Sequence, residues 1–237
     1  MPGKILSVSD IAKMIDHSLL RPTLTNNEFD EGIELVRKYH CATVMVAPYD
    51  VSKAVGRLAE TGIKTSTVID FPHGSNLTEA KVFEANLAMD CGAAHIDMVL
   101  AISRMVSGDL DYVEKDIRAV VEAGHVRNVP VKVIFETCYL SDERIVEACK
   151  ISEHAGADFV KTSTGYGPAG ATLETTRLMR QSCSSRVQVK PSGGIRTLDQ
   201  VLEYRRAGAS MIGTRATEAI LDEAVKRELE NTLRELD

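Results

Sequence analysis

The sequence predicts a single (β/α)8 TIM-type barrel occupying residues 1–237, an α/β fold of one domain. Three observations predict it. Eight short runs rich in β-branched residues alternate with eight longer amphipathic stretches. The short runs are nearly continuous in apolar character, as parallel strands covered by helices require. Most of the amphipathic stretches close on a glycine, the residue best suited to the left-handed turn that ends a helix. Eight consecutive βα units fit a closed barrel better than a doubly wound open sheet, the alternative architecture. Proline is sparse and no Gly/Ser-rich stretch divides the 237 residues, so one hydrophobic core is expected.

In chain order, residues 14–20 supply the first strand. A helix over 26–39 follows it, with Thr25 placed to cap its first turn. Strand 43–46 leads to helix 51–60, which ends at Thr61-Gly62. Strand 65–69 leads to helix 77–90, with Thr78 and Glu79 in its first turn and Cys91-Gly92 after it. Strand 95–100 precedes helix 109–123 and Ala123-Gly124; strand 131–136 precedes helix 142–155 and Ala155-Gly156. Strand 159–162 is followed by helix 173–181, and strand 187–190 by helix 198–207 with Ala207-Gly208. Strand 210–213 is last. The closing helix, 217–236, sets Ile220, Ala224, Leu229, Leu233 and Leu236 near one face, with its charges on the solvated side.

Composition narrows the function classes. A formal net charge of −6 argues against a nucleic-acid partner, whose binding surfaces are basic. No apolar run approaches the ~20 residues of a membrane span, and residues 1–16 lack the apolar core of a signal peptide. No membrane association is expected, and the location is expected to be cytoplasmic. The five cysteines (Cys41, Cys91, Cys138, Cys149 and Cys183) are scattered, and none forms a C-x-x-C pair, so they read as reduced thiols. The six histidines show no i, i+2 or i, i+4 pairing, so they offer no metal ligand set; no cofactor is expected either.

The polar residues at the strand ends carry the chemistry. Asp16 and His17 lie in the first strand, Asp70 ends the third, Asp97 sits inside the fourth, Glu136 ends the fifth, Lys161 the sixth and Lys190 the seventh. In a barrel these ends build the active site. Two lysines on adjacent strands repel, and a structural salt bridge explains one of them better than both. An amine must be neutral to attack a carbonyl, and at its ordinary pKa only about one lysine in a thousand is neutral at pH 7. Burial and the Lys190 cation would both lower the pKa of Lys161 and turn it into a nucleophile, with Asp97 as a proton carrier. The run Pro191-Ser192-Gly193-Gly194-Ile195-Arg196-Thr197 and the run Gly213-Thr214-Arg215 occupy the positions where barrels often bind phosphate.

These residues resemble the deoxyribose-phosphate aldolase family. The resemblance rests on Lys161-Thr-Ser-Thr-Gly165-Tyr-Gly167 with Gly170-Ala-Thr172 downstream, and on Ile15-Asp16-His17-Ser-Leu-Leu-Arg-Pro22. It also rests on Phe71-Pro72-His-Gly74, Ile96-Asp97-Met-Val99, Val133-Ile-Phe-Glu136-Thr137 and Val189-Lys190-Pro-Ser-Gly-Gly-Ile-Arg-Thr197. It implies a metal-free class I aldolase that reversibly cleaves 2-deoxy-D-ribose 5-phosphate to acetaldehyde and D-glyceraldehyde 3-phosphate, working as a homo-oligomer, dimer or tetramer. It further implies that Lys161 forms the Schiff base, Lys190 tunes it, Asp97 relays protons and Asp16 supports the network. Thr164 and Gly165 would line the pocket, and the amides of Gly193, Gly194 and Gly213 would hold phosphate. The chain departs from the family where Gly-Thr-Ser-Ser is usual: it reads Gly213-Thr214-Arg215-Ala216, so that Arg215 is expected to contact the substrate, either by binding its phosphate more strongly or by reshaping the mouth of the pocket. The readings that compete are a Schiff-base aldolase with another acceptor aldehyde, a phosphate-binding isomerase or decarboxylase, and a non-catalytic sugar-phosphate binder.

Overall fold

A computed structural model describes residues 3–236. The short helix α1 (Val8–Ala12) precedes β1 (Ile15–Leu19), and α2 (Asn26–Tyr39) precedes β2 (Thr43–Val46). Then come α3 (Val51–Arg57), β3 (Lys64–Ile69), α4 (Thr78–Asp90), β4 (His95–Val99), α5 (Ile102–Ser107), α6 (Leu110–Val126) and β5 (Val131–Ile134). The chain finishes with α7 (Asp142–His154), β6 (Phe159–Lys161), α8 (Leu173–Ser182), β7 (Gln188–Lys190), α9 (Leu198–Arg206), β8 (Ile212–Thr214) and α10 (Thr217–Leu229).

All eight strands pair in parallel, in the order β7-β6-β5-β4-β3-β2-β1-β8. Between β7 and β8 the sheet closes through a bridge from Ser192 to Gly213. Two amides join there, Ser210 N–H to the Val189 carbonyl and Gly213 N–H to the Pro191 carbonyl, each at 3.0 Å. The eight expected strands are thus present and form a barrel.

Alternation along each strand sorts residues between two cores. Ile15, Val44, Ile96, Val131, Val160, Val189 and Ile212 face outward and join one apolar cluster beneath the helices. The alternate set points inward and is mixed: Met45, Val68 and Ile134 share the barrel with Asp16, Thr43, Asp97, Lys132, Lys161 and Lys190, all buried. Register matters, because it sets Lys161 directly beside Lys190, Asp97 beside Lys132, and Asp16 beside both Thr43 and Gly213.

Thr25 caps α2 as expected, in a reciprocal arrangement with Glu28. The closing helix is shorter than expected. It stops at Leu229, and Asn231 turns the chain with φ +57°. Leu233 is then buried against the barrel floor, where its carbonyl accepts from Leu6 N–H at 3.1 Å. The fifth strand also ends early, because Glu136 adopts φ +52° and turns out of the sheet. Helices α1 and α5 were not expected. Among the described residues no helix is long and apolar enough to cross a membrane.

Candidate active site

Five ionised side chains meet at the C-terminal end of the barrel interior. Lys161 Nζ donates to Asp97 Oδ2 at 2.9 Å, and Lys190 Nζ donates to the same oxygen at 2.7 Å. Lys132 Nζ donates to the other oxygen, Oδ1, at 2.7 Å. Lys190 also bonds Asp16, whose second oxygen accepts from the Thr43 hydroxyl. Every member is at least 95% buried. Lysines this deep are rare unless paired, and here three ammonium groups share two carboxylates.

That imbalance decides which group loses a proton. Three positive and two negative charges leave the cluster one charge in excess, which release of one proton removes. Burial, the largest cause, pushes Lys161 down to about 8; Asp97 opposes the shift, and Lys190 adds to it. Lys132 is also lowered, again chiefly by burial, but it does not reach the open cleft. Lys190 moves the other way: burial alone would lower it, and Asp16 and Asp97 outweigh burial and hold it charged. Burial would raise both carboxylates, and the lysines more than reverse this. Asp97 lies well below its ordinary range and Asp16 is lowered. Burial and the Lys190 cation, the two causes expected to lower the Lys161 pKa, both act, with desolvation the larger and the neighbouring cation the smaller.

Above the cluster lies a cleft of about 550 Å³, a volume typical of small-molecule sites. Lys161, Lys190 and Asp16 form its floor; Thr164, Gly165 and Tyr166 form one wall; Gly193, Gly194, Gly213 and Arg215 lie at the other. Asp97 does not reach the cleft and acts on it through the two lysines. The loop after β7 is held to β6 by Ser192 N–H on Thr162 Oγ1, 3.1 Å, and by Ser192 Oγ–H on the Ser163 carbonyl, 2.6 Å. Gly193 and Gly194 have φ of +85° and +84°, a region that L side chains rarely adopt. Among the described residues their amides donate to no protein acceptor.

Gly213 serves differently from the expectation that its amide binds phosphate. Its N–H is already bonded to the Pro191 carbonyl. The glycine instead leaves space, since a Cβ would stand 2.8 Å from Ser192 Cβ and 3.5 Å from Lys190 Cε.

Three arginines, Arg21, Arg196 and Arg215, ring the cleft. Arg21 is paired with Glu28 at 2.7 Å. Arg215 and Arg196 have no ion pair among the described residues.

Other polar strand ends lie outside the cleft. Asp70 belongs to a separate buried cluster behind the sheet, with Lys81 Nζ at 3.4 Å and Asn76 donating twice. His17 faces outward, bonded to Thr217 Oγ1 at 2.8 Å, and burial lowers its pKa to about 4, leaving it neutral. His73 does not line the cleft. Sequence reasoning passed over Lys132, Thr43 and Arg21. The first was legible as a charge in the apolar run Val131-Lys132-Val133-Ile134, by the argument already applied to Asp97.

Comparison with known proteins agrees with this geometry. Residues 11–217 match the model of the DeoC/LacD family of aldolases. A deoxyribose-phosphate aldolase of Rhodopirellula baltica is 47% identical over 92% of this chain and 90% of its own. One from Caldanaerobacter subterraneus subsp. tengcongensis is 48% identical over 94% and 97% respectively. The solved deoxyribose phosphate aldolase of Aeropyrum pernix, described as tetrameric, superposes with a TM-score of 0.85 at 29% identity, covering 92% of each chain. A buried lysine cluster at the mouth of an eight-stranded barrel, matched along nearly its whole length to aldolases, places this chain in the DeoC/LacD aldolase family of lyases.

Proposed function

We propose that the protein is a class I aldolase that reversibly cleaves 2-deoxy-D-ribose 5-phosphate to acetaldehyde and D-glyceraldehyde 3-phosphate. One observation carries the reading: Lys161 is the single lowered amine of the cluster that reaches the open cleft. With its pKa at about 8, about a tenth of the Lys161 amine is neutral at pH 7, roughly a hundredfold more than for an ordinary lysine.

The neutral Nζ attacks the C1 aldehyde carbon, and the carbonyl oxygen takes a proton. Loss of water from this adduct leaves a protonated imine. The C3 hydroxyl then loses its proton, the C2–C3 bond breaks, and its electron pair passes into the imine to give an enamine. D-glyceraldehyde 3-phosphate departs. A proton adds at C2 of the enamine, and water attacks the resulting imine, freeing acetaldehyde and Lys161. Lys190 passes these protons at the cleft, and Asp97 supports it; their hydrogen bond supports this reading. The phosphate is assigned to the free amides of Gly193 and Gly194 and to Arg215, with Arg196 and Arg21 adding positive potential. The assembly reported for the Aeropyrum relative supports a homo-oligomer, dimer or tetramer, and the five free cysteines suit a cytoplasmic location.

Borohydride added in the presence of acetaldehyde is expected to leave an ethyl group on Lys161, found by peptide mass mapping, with turnover unchanged by a chelator. Adduct-free protein would overturn the reading. Arg215→Ser is expected to raise KM for deoxyribose 5-phosphate about tenfold and to leave plain deoxyribose within about twofold, the difference reflecting a lost charge-assisted contact. Equal effects on the two sugars would remove Arg215 from phosphate binding.

A further inference from the structure

Glu136 is a buried carboxylate that the mechanism above does not use. It is 2% exposed, and among the described residues no cation pairs with it. An uncompensated carboxylate at that depth is costly, so its hydrogen bonds must hold it there. All those from backbone and hydroxyl come from one residue: Thr164 N–H reaches Oε1 at 3.2 Å and Oε2 at 3.4 Å, and the Thr164 hydroxyl donates to Oε2. The backbone bends to permit this, since Glu136 sits at φ +52°, a region uncommon for glutamate. The chain opposite is shaped to match. A Cβ at Gly167 would stand 3.0 Å from Glu136 Cδ and 2.8 Å from Cys138 Sγ.

The hydroxyl of Thr164 is thereby fixed in direction. A hydroxyl has one proton and two lone pairs. Here the proton goes to Glu136, and one lone pair takes Tyr166 N–H at 3.0 Å. A single lone pair remains, on a residue that lines the cleft three positions after Lys161. Tyr166 in turn is tied down from two other loops. Its hydroxyl donates to the Leu20 carbonyl at 2.7 Å, and Phe71 packs edge-on against its ring at 5.4 Å.

We propose that Glu136 is a positioning residue that makes Thr164 an acceptor-only group toward the cleft, so that Thr164 recognises a hydroxyl of the bound sugar. A carboxylate suits the task because it accepts from both Thr164 donors and donates to neither. Glutamine at this position keeps only one acceptor oxygen, so it would turn an N–H toward one of the two Thr164 donors and could no longer hold both.

The inference rests on the reading of Lys161 as the imine-forming amine, and the test separates the two. Acetaldehyde carries no hydroxyl, so its trapping on Lys161 by borohydride is expected to stay within about twofold of wild type in Glu136→Gln, in Thr164→Val and in the double variant. In contrast, kcat/KM for deoxyribose 5-phosphate is expected to fall about tenfold in each single variant, and no further in the double, because both act through one hydroxyl. Thr164→Ser, which keeps the hydroxyl, is expected to stay within about threefold of wild type. Losses that multiply in the double variant would overturn the proposal, as would trapping that slows in step with turnover. Should Glu136→Gln not fold, equal activity of Thr164→Val and Thr164→Ser would overturn it by itself. Wild-type protein that fails to trap would instead sink the Lys161 reading.

Discussion

Replacing Lys161 with methionine is expected to lower kcat/KM for deoxyribose 5-phosphate by at least about 10⁴-fold while leaving the melting temperature equal or higher. The two halves have one cause. Without the amine no imine forms, and the electrons of the C2–C3 bond have no sink. Removing it also leaves Lys132 and Lys190 facing Asp97 and Asp16, two charges of each sign, and relieves the excess positive charge of the buried cluster. Methionine fills nearly the same length and adapts to its surroundings. Lys161→Arg supplies the contrast. It keeps the charge, but its guanidinium stays protonated at any working pH, so it should be equally inactive and less stable than Lys161→Met. Stopped assays of acetaldehyde release, with thermal melts followed by circular dichroism, check both. A loss below about 100-fold in Lys161→Met would show that another group attacks the carbonyl.

The strands were legible because parallel strands under helices are apolar on the outer face, and the eight runs announced themselves. Charges inside such runs were legible for the same reason, which is how Asp97, Lys161 and Lys190 stand out. What the chain could not display is direction across the barrel. Asp16 and Asp70 look alike in sequence, each closing or occupying a strand, yet one faces the cleft and the other a buried lysine behind the sheet. Only register settles that, and register depends on pairing between distant segments. Gly213 shows a further limit. Its place in a phosphate-type loop was readable, but its N–H is committed to Pro191, a bond made by barrel closure between β7 and β8. Glu136 is harder still, because its value lies in a backbone turn and a partner 28 residues away. The tail after Leu229 was misread as helix because Leu233 and Leu236 continue the apolar spacing, while the left-handed turn at Asn231 breaks the helix first.

Lys190→Met is expected to move the rising limb of the pH–rate profile to higher pH and, separately, to lower its plateau. Activity requires neutral Lys161, so the rate rises as pH passes through its pKa of about 8. Burial keeps that value down, Lys190 helps, and Asp97 pulls it up. With Lys190 gone, the burial contribution stays, the repulsion vanishes, and Asp97 has one fewer ammonium to share itself with. The Lys161 pKa therefore rises, and each unit removes about tenfold of the neutral amine at pH 7. The plateau reports something else. Above the pKa every Lys161 is neutral, and a plateau lowered about 10²-fold would measure the loss of Lys190 as a proton carrier. Stability also responds, because Asp16 has no other ammonium partner among the described residues. An unpaired buried carboxylate costs about 3–5 kcal/mol, so the single variant should melt well below wild type. Adding Asp16→Asn should restore much of that loss. It should not return the limb to its wild-type position, because the repelling cation is still missing. A limb that stays in place in both variants, with only the plateau reduced, would mean that burial alone tunes Lys161, and that the second lysine is there to move protons.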